Sequence, residues 1–241
     1  MSGNTKPTKR AFQPNRWGKP TKLVIENNYF GPNPEIYNFF ELNCAVSDGS
    51  KFNNNTFVKE AAFHNCFNFY EVESGTEDKH TIIEVSGNTF DCGTDCNPIR
   101  IGCKGAPQYV DFFIEDNTYT ADPETDPAWV GLFFIQPYAK QTEDMSGISI
   151  YLKNNHIGDN QLFYYWAGPN DAQLIDLEES KLPKVFVYDE ELKDYVRISL
   201  LDNLDESIYN REVKPLLEAE TTPTTEPETN PTDTTEPVVG N

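Results

Sequence analysis

The sequence predicts an all-β chain organised as a right-handed parallel β-helix, a solenoid of about five coils over residues 21–170. Three observations carry that expectation. One short phrase recurs five times along the chain. The distance between its copies is irregular, which suits solenoid coils with variable loops better than helical repeats of fixed length. Aromatic residues make up 13% of the chain, too many for a disordered polymer, and the gaps between copies leave no room for a long amphipathic helix.

The copies read LVIENNYF (23–30), SKFNNNTF (50–57), IIEVSGNTF (82–90), FFIEDNTY (112–119) and ISIYLKNNHI (148–157). They align on Asn28, Asn55, Asn88, Asn117 and Asn155, spaced 27, 33, 29 and 38 residues apart. Three positions earlier stand Ile25, Phe52, Val85, Ile114 and Leu152, on the strand face that points inward. Just before each aligned asparagine stands Asn27, Asn54, Gly87, Asp116 or Asn154, residue types that tolerate the left-handed conformation needed to bend the chain. The aligned asparagines are expected to turn inward and stack as a hydrogen-bonded ladder. Two positions later Phe30, Phe57, Phe90, Tyr119 and Ile157 re-enter the core. A second strand follows in each coil, at 38–43, 67–72, 98–102, 130–136 and 162–167.

The flanks differ from the coils. Residues 1–20 form a basic arm containing Lys6, Lys9, Arg10, Arg16 and Lys19, and no acid occurs before residue 23. Such an arm is expected to dock on something acidic. Residues 171–204 read as a β-hairpin, with strands near 184–188 and 195–200, suited to capping the open end of a solenoid. Residues 205–241 are an acidic linker and a tail of Thr, Pro and Glu, expected to be disordered because nothing in it can build a core.

Composition narrows the function classes. The net charge is −20, and all 39 acids lie beyond residue 22 with 13 of the 19 bases, which disfavours nucleic acid as a partner. No apolar run is long enough for membrane insertion, and the first thirty residues carry no secretory apolar region. The five cysteines (Cys44, Cys66, Cys92, Cys96, Cys103) are expected to be reduced and buried. The run Cys92-x3-Cys96-x6-Cys103 lacks the tight pairs and fourth ligand of a zinc site, so no metal is expected from it.

The five aligned asparagines and their apolar neighbours resemble the right-handed parallel β-helix of the pectin-lyase-like superfold, across residues 21–170. That resemblance implies one of several roles, because the superfold includes polysaccharide lyases and hydrolases, bacterial surface adhesins and phage tailspike or fibre proteins. The first expectation is a non-enzymatic protein of a virion or cell surface, binding a glycan or docking to a protein partner in a larger assembly. A homotrimer is compatible with the phage members. Exposed aromatics suited to sugar stacking are Tyr164, Trp166, Trp129 and Tyr138. The alternative is a lyase or hydrolase working in a groove along the helix. Its candidate residues are Asp91, Asp95, Arg100 and Lys104, with carboxylates as acid and base or a basic residue taking a proton. Calcium is the ion such acidic clusters hold; no other cofactor is implied. The phrase PIRIGCKG departs in spacing from the basic motif of the lyases.

Overall fold

The computed structural model describes residues 9–33, 35–59, 61–62, 64–93, 96–102, 104–122, 131–135, 144–158, 161–165 and 179–199. Apart from one 3-10 turn at Glu179–Lys181, every regular element among them is a strand. Among the described residues, no helix is long and apolar enough to cross a membrane.

Each of the first four repeat phrases folds into two strands with a bend between them, and the fifth into one strand and the bend. The first members are β3 (Val24–Glu26), β6 (Ser50–Asn53), β9 (Thr81–Ser86), β12 (Val110–Glu115) and β15 (Ile148–Lys153). The second members are short: β4 (Tyr29–Phe30), β7 (Thr56–Phe57), β10 (Thr89–Asp91) and β13 (Thr118–Thr120). The bend falls on Asn27, Asn54, Gly87, Asp116 and Asn154, whose φ angles lie between 51° and 64°. Asparagine, aspartate and glycine bear that left-handed geometry at least cost. The longer strands predicted between phrases are β5 (Ile36–Val46), β8 (Asn65–Val72), β11 (Ile99–Ile101), β14 (Gly131–Ile135) and β16 (Gln161–Tyr165). A coil therefore has three strands where the sequence suggested two.

The strands stack in parallel into three sheets. Sheet 1 carries β5-β8-β11-β14-β16, sheet 2 carries β4-β7-β10-β13, and sheet 3 carries β3-β6-β9-β12-β15. Pairing follows the alignment: Ile25 pairs with Phe52, Phe52 with Val85, Val85 with Ile114 and Ile114 with Leu152. The result is a β-solenoid of about four turns, rather than the five coils expected. The fifth copy completes its sheet 3 rung, but on sheet 2 it makes only one bridge, His156 to Thr118.

The interior is aromatic on two sides. Phe30 and Phe57 have ring centroids 4.6 Å apart, and Phe57 stacks on Phe90 at 5.6 Å. From sheet 1, Phe67 and Phe69 meet Phe52 edge-on at 5.2 and 5.1 Å. Between sheets 3 and 2 runs the asparagine ladder. Asn28, Asn55, Asn88 and Asn117 each donate from Nδ2 to the Oδ1 of the next asparagine, at 3.0–3.1 Å. Each Oδ1 from Asn55 onward also accepts the backbone N–H of the preceding ladder asparagine, at 2.9–3.2 Å. The remaining Nδ2 proton goes to a backbone carbonyl one coil back: Ile25, Phe52, Val85 and Ile114 serve Asn55, Asn88, Asn117 and Asn155. Buried amides are thus satisfied throughout the middle of the ladder.

Both ends are extended by strands. Part of the basic arm forms β1 (Lys9–Phe12) and β2 (Arg16–Thr21), which pair in parallel with β5 and cover the N-terminal edge of sheet 1. Lys9 pairs with Glu35, and Arg10 donates to Glu41 at 2.6 Å. The acidic surface met by these two bases is the chain's own first coil. At the other end β17 (Lys184–Asp189) adds in parallel to β15, and β18 (Asp194–Ile198) folds back antiparallel on it. The predicted hairpin is present and continues sheet 3. Its turn is held by the Asp189 carboxylate, which accepts the amides of Glu191 and Leu192 at 2.8 and 2.9 Å. The tail at 205–241 lies outside the described residues.

Candidate functional site

The outer side of sheet 1 differs from a solvated strand face. On alternate positions β5 presents Glu41 and Asn43, β8 presents Asn68 and Tyr70, and β11 presents Arg100. The register places Glu41 beside Asn68 and Asn68 beside Arg100. The arm passes along the edge of this face and adds Gln13, Asn15 and Trp17. Gln13, Asn15, Trp17, Glu41, Asn43, Tyr70 and Arg100 line an open depression of about 450 Å³, and the buried Asn68 lies in the sheet between Glu41 and Arg100.

Its floor is anchored by Glu41, 4% exposed. One carboxylate oxygen accepts from Arg10 Nε at 2.6 Å and from Asn38 Nδ2 at 3.0 Å. The other accepts from Gln13 Nε2 at 2.7 Å. Charge-assisted bonds of this kind fix both the carboxylate and the strand that carries the donors. Glu41 therefore positions the arm rather than offering a free base.

The wall is aromatic and cationic. Trp17 is 43% exposed and meets Tyr70 edge-on, with centroids 6.0 Å apart. Arg100 lies over the Tyr70 ring at 5.0 Å and donates from Nη1 to its hydroxyl at 3.3 Å. Lys104 lies over Trp17 at 5.4 Å and 3.9 Å from Glu71. Gly18, with φ of 64°, donates its amide to Glu71 at 2.7 Å, which seats the Trp17 strand on the solenoid.

Several polar atoms here have no partner within the chain. They are Asn43 Oδ1, Arg100 Nε and both amide atoms of Asn68, all buried. Asn43 makes one bond through Nδ2, to Asn15 at 3.3 Å. Native structures leave few buried polar atoms unsatisfied, so a cluster of them beside an open groove asks for water or a ligand.

A second aromatic array lies on the outside of sheet 3. Phe113, Tyr151 and Phe186 stack with centroids 4.8 and 4.9 Å apart and interplanar angles of 12° and 11°. Tyr195 meets Tyr151 edge-on and donates its hydroxyl to Glu115. These rings turn their faces on one another along the solenoid, which suits sheet stability and leaves Trp17 the better stacking surface.

The sequence-predicted site residues distribute as follows. Asn28, Asn55, Asn88, Asn117 and Asn155 form the ladder. Arg100 and Lys104 both reach the groove wall. Asp91 is exposed on β10 of sheet 2, on a different sheet from Arg100, so the structure does not bring that acid and base together. Asp95, Trp129, Tyr138 and Trp166 lie outside the described residues, and for Tyr164 only the strand is described, paired with Phe134. Sequence reasoning missed Gln13, Asn15, Glu41, Asn43, Asn68 and Tyr70. Comparison with protein-family models, curated proteins and solved structures gave no match.

Proposed function

We propose that the chain is a non-enzymatic β-solenoid that binds a saccharide in the sheet 1 groove, as an attachment protein of a virion or cell surface. The observation that carries this is the groove itself, where an exposed indole adjoins buried amide and guanidinium atoms without partners. Sugars present apolar ring faces and dense hydroxyls, and small-ligand sites answer with aromatic surface and a few placed polar groups. Asn43, Asn68 and Arg100 supply two acceptors and two donor groups for hydroxyls. Likeness of the repeat to the pectin-lyase-like superfold supports a surface role. The positive charges of Arg100 and Lys104 beside the groove favour a saccharide with carboxylate groups, locally offsetting the net charge of −20.

The test is a panel of neutral and acidic polysaccharides, scoring binding and chain cleavage together. Binding without cleavage is expected, and Trp17→Ala should weaken it about tenfold or more. Cleavage would move the function to the lyase or hydrolase class. Binding unchanged in both Trp17→Ala and Tyr70→Ala would place the site elsewhere.

A further inference from the structure

Three cysteine thiols from successive coils meet inside the solenoid. Cys66 lies near the start of β8, Cys92 follows β10 directly and Cys96 lies just ahead of β11. Their sulfur atoms all lie within 4.8 Å of one another, and all three residues are buried. Backbone geometry brings them there. The amides of Cys66 and Phe67 both donate to the Pro98 carbonyl, at 2.9 and 2.8 Å. This bulge-like doubling lets two successive side chains of β8 face the core. Cys92 donates its amide to the Thr120 carbonyl at 2.8 Å. The Tyr119 hydroxyl donates to the Cys96 carbonyl at 3.3 Å. Tyr119 occupies the inward position that Phe30, Phe57 and Phe90 hold in the preceding coils, so the aromatic stack gains a hydroxyl at the coil where the cysteines lie.

Packing alone does not explain the arrangement. A single buried thiol behaves as a small hydrophobe, and Cys44 is such a residue, buried and not part of this group. Three sulfurs facing one another form a polar cluster in an apolar interior. Burial pushes the Cys66 and Cys92 thiols well above their ordinary range. Hydrogen bonds from those two thiols hold Cys96 well below it.

We infer that Cys66, Cys92 and Cys96 form a thiolate site for a soft d10 metal ion, zinc(II) or copper(I). Thiolates around a tetrahedral ion at about 2.3 Å sit about 3.8 Å apart, so side-chain adjustments of about 1 Å close the set. Loading exchanges the thiol protons for the metal with no change of oxidation state, and the protons leave to solvent. Sulfur donors exclude calcium, which takes oxygen. Copper(I) is content with three thiolates, while zinc(II) takes a fourth ligand and leaves one negative charge in the core rather than two. His64 stands two residues before Cys66. Asn65 donates from Nδ2 to the Asn97 carbonyl at 2.6 Å, so its Oδ1 must accept from His64 Nδ1 at 2.8 Å. That bond fixes the tautomer with the lone pair on Nε2, the form in which histidine serves a metal. Because the site is closed, the ion enters during folding.

The test is elemental analysis of the full chain folded with zinc(II), copper(I) or cobalt(II), with optical spectra of the cobalt form. One equivalent of metal per chain is expected, with cobalt giving sulfur-to-metal charge-transfer bands. Cys66→Ser, Cys92→Ser and Cys96→Ser should each lose the metal, while Cys44→Ser keeps it. Since core serines can unfold the chain, the unmutated protein supplies a second readout: a chelator during folding should lower its melting temperature. Retention of zinc identifies one ion and retention of copper(I) the other; either supports the site. Failure to take up all three metals overturns it, as does a disulfide among the three cysteines in the folded protein, or full uptake by a folded Cys96→Ser variant.

Discussion

Asn88 and Asn68 are equally hidden, at 1% and 0% exposed, yet their surroundings are opposite. Asn88 accepts two hydrogen bonds and donates two, to groups above and below it in the ladder. Neither side-chain atom of Asn68 has a partner within the chain. The same amide in two settings separates the scaffold from the site. Where the fold supplies every partner, the asparagine is structural. Where it supplies none, the free energy of burial is left open for something outside the chain to satisfy.

Substitutions sharpen the contrast, starting with the largest effect. Asn88→Leu strands the amide of Asn55 and the carbonyl of Phe52, along with two neighbouring side chains. It should cost about 4 kcal/mol, read by denaturant unfolding; a loss below about 1 kcal/mol would remove the ladder's structural role. Glu41→Ala deprives Arg10, Gln13 and Asn38 of their shared acceptor. It should cost about 2 kcal/mol and speed hydrogen exchange at the amides of β1; unchanged exchange would mean that other contacts hold the arm. Asn28→Ala, at the exposed end of the ladder, should cost about 0.5–1 kcal/mol, far below Asn88→Leu. Asn68→Leu should change stability by about zero or raise it slightly, because it removes two unsatisfied polar atoms. A large destabilisation there would mean that Asn68 is structural after all.

The scaffold was largely legible in the sequence, and the groove was not. The ladder was readable because each asparagine sits beside its own bend residue and between two inward apolar positions, all within one phrase. The hairpin was equally local, with Asp189 and Lys193 inside the turn. The short strands of sheet 2 escaped notice because two or three residues carry no periodicity. The groove depends on long-range pairing: Gly18 meets Glu71 across 53 residues and Arg10 meets Glu41 across 31. Nothing near Trp17 in sequence shows that Tyr70 and Lys104 will surround it. The register of the basic arm on β5 could not be read from its charge. Linear spacing likewise grouped Cys92 and Cys96 with Cys103, whereas the coil brings up Cys66 from a different strand.

One measurement bears most directly on the saccharide groove. Side-chain amide and indole resonances of the isotope-labelled chain can be followed while an acidic oligosaccharide is titrated in. The account predicts that Asn43, Asn68 and Trp17 Nε1 shift together and saturate, while the amides of Asn55, Asn88 and Asn117 stay where they are. Saturable binding that leaves Asn43, Asn68 and Trp17 unmoved would contradict it.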